Sequence, residues 1–271
     1  MAKRKIKRSS NRKRYIVIFF GCTLILLSIL GYILFYVTHL EKFQIQSVSV
    51  EGYDTINPEV VMAPVDELLS GSYFWLIPKS FLYTYPKKDI SHSVLDILKV
   101  KRVTVNMEDK NLLLSLEEYV PFALWCKETN CWLIDADGTA FVKAPLLEGN
   151  TLTRYVDQNS TPTMKASFAD LEVMNTIQGW QKYFDLEYNW SIERVEKNRE
   201  DIFYYLRGDS YIKTSLRHGF ASSIKNLQTI LESNDFSHLS PGNFEYIDLR
   251  YQSRVFVKEQ FAEQESEVES E

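Results

Sequence analysis

The pattern of apolar and polar positions divides this chain near residue 37. Residues 15–37 run for 23 positions without a charge, Pro, Asn or Gln. At about 1.5 Å per residue such a helix is roughly 34 Å long, enough to cross a hydrocarbon core of about 30 Å. Beyond it the pattern becomes that of folded domains. Phe43-Gln-Ile-Gln-Ser-Val-Ser-Val-Glu-Gly52 alternates apolar and polar residues and stops at Gly, which predicts a strand. Asn57-Pro58-Glu59 is a helix start, and Val60, Val61, Val65, Leu68 and Leu69 give the helix an apolar face, with Pro64 expected to kink or divide it. Ile90, Val94, Leu95, Ile97 and Leu98 predict a second amphipathic helix. Two strands, 103–107 and 112–117, close a β-α-α-β-β unit. A small sheet covered by two helices on one face accommodates that order.

From Tyr119 short strands dominate, at 121–126, 131–135 and 139–142. Residues 145–162, rich in Thr, Asn and Gly, read as a loop. Phe168, Leu171, Met174, Ile177 and Trp180 mark a helix. Strands resume at 192–195, 202–206 and 211–214, Phe220, Ile224, Leu227 and Leu231 stripe another helix, and 244–257 supplies a last strand or two. The expected class is α+β: one N-terminal transmembrane helix, a β-α-α-β-β domain over 43–118, and a β-dominated domain with two helices over 119–258. A basic tail (1–14) precedes the helix at 15–37, and a solvated acidic tail (259–271) ends the sequence.

Charge fixes the expected orientation. Residues 1–14 hold eight Lys and Arg and no acid, whereas the far flank offers only His39, Glu41 and Lys42. The positive-inside rule places the N-terminus in the cytoplasm and the rest outside it. A cleaved signal peptide is the competing reading, but the apolar run exceeds the usual 7–15 residues, and Val37-Thr-His-Leu-Glu-Lys42 contains no Ala-x-Ala-like step. Eight of the 31 Lys and Arg lie in the tail, leaving 23 against all 36 acids, a net charge of −13. Such a surface repels nucleic acid and anionic lipid headgroups rather than recruiting them. An aromatic content of 14% suits packed domains.

Candidate chemistry is sparse. Cys22 falls within the apolar run. Cys126 and Cys131 flank Lys-Glu-Thr-Asn, each beside a tryptophan, at what reads as a hairpin mouth. They are either a disulfide, which an extracytoplasmic location permits, or two free thiols among aromatics. No His lies near them to complete a zinc site. His39, His92, His218 and His238 are scattered and propose no catalytic arrangement. Asp135-Ala-Asp137-Gly138 lacks the Gly and Glu that a calcium loop needs at its sixth and twelfth positions, where Ala140 and Leu146 stand, so it reads as a turn. Asn159 and Asn189 open glycosylation sequons, a pattern common by chance. No phosphate-binding glycine loop is present, and no cofactor or small-molecule substrate is expected.

Recognition by surface remains. The segment 244–258 combines strand alternation with aromatics. A strand near a solvated tail is often at a sheet edge, where a partner strand can add. Tyr246, Asp248, Arg250, Tyr251, Arg254 and Phe256 are the candidate partner-binding residues, the arginines and tyrosines being types that anchor interfaces.

The ordered set of motifs resembles a known family. A basic tail and a single span precede Phe43-x-Ile-x-x-Val-x-Val-x-Gly52. Leu116-Glu-Glu-Tyr-Val-Pro-Phe-Ala-Leu-Trp125 follows, then Leu133-Ile-Asp-Ala-Asp-Gly-Thr-Ala-Phe141, and finally Tyr246-Ile-Asp-Leu-Arg-Tyr251. Together these resemble the bacterial cell-division family FtsQ, called DivIB in Gram-positive bacteria. The resemblance implies a POTRA-type domain followed by a β-domain, and a non-enzymatic divisome scaffold at the septum. Its partners would be the single-span proteins FtsL and FtsB (DivIC). It further implies that an FtsB-type partner extends the sheet at a strand over 246–257, with Arg250 meeting an acidic partner residue and Tyr251 beside it. The paired cysteines and the connection at 145–162 depart from the family pattern. A membrane-anchored POTRA-type chaperone or transport subunit binding extended clients is the alternative.

Overall fold

The computed structural model describes residues 10–145 and 152–260, with side chains from Arg14 onward. The protein is mixed α and β, with one N-terminal helix long and apolar enough to cross a membrane and a β-rich body. The chain forms two compact units, Met1–Glu118 and Tyr119–Glu271.

In the first unit α1 (Ser10–Thr38) continues the apolar run back into the basic stretch. Residues 1–9 of the expected tail lie outside the described residues. A 3₁₀ turn at Glu41–Phe43 follows, so the strand expected from Phe43 begins only at β1 (Ser47–Glu51). The first half of that alternating segment pairs instead with the 80–82 region, Ile45 N–H donating to Ser80 O and Leu82 N–H to Phe43 O. α2 (Pro58–Leu69) is capped by Asn57, whose side chain accepts from Glu59 N–H. It runs unbroken across Pro64. The carbonyl deprived of a donor belongs to Val60, which is exposed, so water can satisfy it. A small hairpin, β2 (Ser72–Tyr73) and β3 (Ile77–Pro78), separates α2 from α3 (Lys87–Leu95), and β4 (Val100–Glu108) and β5 (Asn111–Glu118) complete the unit.

The sheet order is β1-β5-β4, with β1 parallel and β4 antiparallel to β5. Along β5, Leu112, Leu114 and Leu116 are buried with Val61 and Val65 of α2 and Ile90 and Val94 of α3. Two features lock the entry to α2. Gly52 has φ +75°, and a Cβ there would lie 2.3 Å from Leu116 O. The Glu118 carboxylate accepts from the backbone N–H groups of Asp54, Thr55 and Ile56 and from the Thr55 hydroxyl.

The second unit contains β6 (Ala123–Lys127), β7 (Asn130–Ile134), β8 (Ala140–Lys143), β9 (Arg154–Asp157), α4 (Leu171–Tyr188), β10 (Ile192–Asn198), β11 (Asp201–Leu206), β12 (Tyr211–Ser215), α5 (Phe220–Leu231), β13 (Phe244–Asp248) and β14 (Phe256–Glu259). One nine-stranded sheet runs β14-β13-β12-β11-β10-β9-β6-β7-β8. Both helices pack on the face that carries Trp125, Tyr155, Val195, Tyr204, Ile212 and Ile247. Trp180 and Phe184 of α4 stack on each other, and Tyr204 packs tilted against the first and edge to face against the second.

The loop expected over 145–162 requires correction. Its residues 146–151 lie outside the described ones, but 154–157 form β9, parallel to β6 on one side and β10 on the other. Four residues are too few to display a period against Thr and Asn neighbours. The strand exists because partners distant in sequence close on it, burying Tyr155 completely. Asp157, almost wholly buried, ends β9 in an ion pair with Lys197 2.8 Å away. Burial pushes the Asp157 carboxyl up, yet the hydrogen bonds from Lys197, Ser160 and Asn159 outweigh it and hold it low.

Candidate partner-binding edge

The segment 244–257, read from its pattern as a last strand or two and from the resemblance as one strand over 246–257, forms two. β13 ends at Asp248, residues 249–255 form a loop, and β14 returns antiparallel with Tyr246 opposite Lys258 and Asp248 opposite Phe256. β13 is interior, flanked by β12 and β14, so it has no vacant side for a partner. The break falls where Arg250 turns back to chelate Asp248, which continued extension would forbid. Arg250 Nε donates to Asp248 Oδ1 at 2.9 Å, Nη2 to Asp248 Oδ2 at 2.7 Å, and Nη1 to Asp201 Oδ2 at 2.8 Å. Asp248 is buried, and its hydrogen bonds lead the causes that raise the Arg250 guanidinium pKa. Arg250 is therefore engaged by two acids of its own chain, where the resemblance implies an acidic partner residue.

The edge itself is β14. Gln260 N–H points inward to Asn243 O at 2.9 Å, and alternation along the strand turns the amide groups of Val257 and Glu259 outward. Glu259, expected in the acidic tail, belongs to this strand and meets His238 Nε2 at 3.0 Å. Residues 261–271 of that expected tail lie outside the described ones. At the opposite edge the first residue of β8 is occupied: Ala140 N–H donates to Ala166 O and Lys165 N–H to Ala140 O. Among the described residues no such segment covers β14.

The other expected residues surround this edge. Tyr251 and Phe256 are both about half exposed and meet edge to face, with ring centroids 5.4 Å apart. Arg254 is exposed on the same loop. Tyr246 faces the side of the sheet that neither helix covers, with the Lys213 ammonium 3.6 Å from its ring centroid. Burial, with smaller contributions from Arg250 and Lys258, pulls the Lys213 ammonium pKa down against the opposing pull of Asp248 and Glu245.

Register exposes a row that sequence reading did not find. Arg194, Tyr205, Tyr211, Tyr246 and Lys258 stand opposite one another across β10 to β14. The Arg194 guanidinium lies 3.8 Å from the Tyr205 ring centroid, and Tyr205 and Tyr211 stack at 5.1 Å. The one available signal was alternation in Ile202-Phe-Tyr-Tyr-Leu206, which separates Phe203 and Tyr205 from a buried set. Which strands neighbour which was not legible.

Cys126 and Cys131 are directly opposed across the β6–β7 hairpin and joined as a disulfide. Among the described residues no group of three or more His, Cys, Asp or Glu could hold a metal ion. Compared with known proteins, the chain matches no family model, and no curated protein is significantly similar to it in sequence.

Proposed function

We propose that this protein is a membrane-anchored, non-enzymatic scaffold of the FtsQ/DivIB kind. It captures FtsB- and FtsL-type single-span division proteins at the bacterial septum and so bears on septal peptidoglycan synthesis. Its N-terminus lies in the cytoplasm and its two folded units lie outside. The observation carrying this reading is the β14 edge, which no segment among the described residues covers. An added strand would draw affinity from main-chain bonds to Val257 and Glu259 and selectivity from Tyr251 and Phe256. A partner strand with an apolar residue beside Phe256 fits this margin. The β-α-α-β-β order of the first unit agrees with a POTRA-type domain, as do its two helices on one face.

A second reading, an anchored POTRA-type chaperone or transport subunit for extended clients, is favoured by β4. This nine-residue strand is also a sheet edge. Isolation of the tagged chain from bacterial membranes, with partners identified by mass and position followed by fluorescence, separates the two. Mid-cell rings and co-isolated single-span division proteins support the scaffold. Uniform membrane fluorescence with secretory clients retires it.

A further inference from the structure

Phe74 and Trp75 are the most exposed large hydrophobic residues among those described, at 91% and 89%. They form the tip of the β2–β3 hairpin, and both have positive φ, +50° and +60°. Leu76 N–H donates to Tyr73 O across them at 3.0 Å. Tight turns with two left-handed residues take Asn-Gly, because a Cβ is disfavoured there and a polar side chain suits water. Two large aromatic rings contradict both preferences. Nothing in the packing of the first unit accounts for them, since the rings stand clear of its core.

Their position supplies a reason. The hairpin meets the end of the apolar helix: Oγ1 of Thr38, the last residue of α1, lies 3.2 Å from Leu76 O, with Leu34 O at 2.9 Å and Phe35 O at 3.1 Å as further acceptors for its one proton. Thr38 is buried by this junction, whereas the apolar residues of the helix are exposed around it. Residues 70–78 carry no charge, and Lys79 follows them directly in sequence. Aromatic rings beside a span terminus have the chemistry of the headgroup region.

We propose that Phe74 and Trp75 seat in the outward-facing interface of the phospholipid bilayer. A lone helix leaves the unit it anchors free to turn about its axis. A second, shallow contact at the hairpin fixes that orientation. The inference rests on α1 being a membrane span, and a lipid occupant is favoured over a protein one because the hairpin is continuous with that span.

The test uses the full chain in phosphatidylcholine–phosphatidylglycerol vesicles carrying nitroxide at the headgroup, the upper acyl chain or the bilayer centre. Tryptophan emission is compared between the wild type and Trp75→Phe. A quenched component in the wild type, strongest with the two shallow labels and lost in Trp75→Phe, supports the proposal. The variant Phe74→Asn with Trp75→Gly should keep the near-ultraviolet dichroism of the fold and also lose that component. Equal quenching of wild type and Trp75→Phe by every label overturns it, whether Trp75 is then open to aqueous acrylamide or screened by a protein partner. Retention of the chain after alkaline carbonate in that case leaves the span intact and removes the hairpin contact alone. Release by carbonate removes both.

Discussion

Arg250 Nη1 lies 2.8 Å from Oδ2 of Asp201, 49 residues earlier in the chain, while the same guanidinium grips Asp248 with two nitrogens. The loop after β13 is thereby fastened to the start of β11. Asp248 can be buried at an interior strand end because this cation accompanies it.

Replacing Arg250 by Ala should therefore destabilise the second unit. The pair is intermediate between exposed ones, worth about 0–1 kcal/mol, and fully buried ones, whose disruption costs about 3–5 kcal/mol. A loss of about 1–3 kcal/mol is expected in denaturant unfolding. Unchanged stability would mean that Arg250 is free for a partner after all, and any loss of binding in Arg250→Glu must be read beside its unfolding curve.

Proline at position 257 removes an outward N–H and leaves the β13–β14 ladder in place. Val257→Pro should abolish co-isolation of the strand-adding partner while lowering stability by only about 1 kcal/mol, as edge positions tolerate proline. Full capture by that variant would exclude β14 as the docking strand.

Glu118 gives the first unit an acid-sensitive lock. Burial pushes its carboxyl up, but the Thr55 hydroxyl and the amides of Asp54, Ile56 and Thr55 together hold it below the usual value. A depressed folded pKa means its stabilisation is complete above the unfolded Glu value, near about 4.3, and is lost as pH falls through the lower folded value. Glu118→Gln should cost about 1–2 kcal/mol at neutral pH and flatten the fall in stability through that acidic window. Parallel pH profiles for variant and wild type would contradict this.

Reduction, or the double change Cys126→Ser with Cys131→Ser, opens a six-residue loop whose closure is worth about 2 kcal/mol by the chain-entropy estimate. The β6–β7 pairing should survive, because Trp125 remains buried in the shared core. Identical unfolding free energies with and without reductant would show that the thiols are not joined in solution.

Local pattern carried much of the architecture. An uncharged run of 23 residues can only be a helix in lipid, and the Asn57-Pro58 start and the leucines of β5 wrote their own elements. Asp137-Gly138 was legible as a turn for the same reason, since only backbone sterics are involved, and Gly138 has φ +84°. Strand β9 was not legible, because four residues with parallel partners on both sides owe their conformation to segments far away in sequence.

The candidate site divides along the same line. Sequence alone determined which residue types stand near position 250 and that they alternate as in a strand. Only the tertiary structure decided that the segment breaks at Arg250, that β13 is interior, and that the vacant margin is β14. Alternation is a property of one chain segment, whereas an edge is defined by the absence of a neighbour, and neighbours are chosen by packing across the whole sheet.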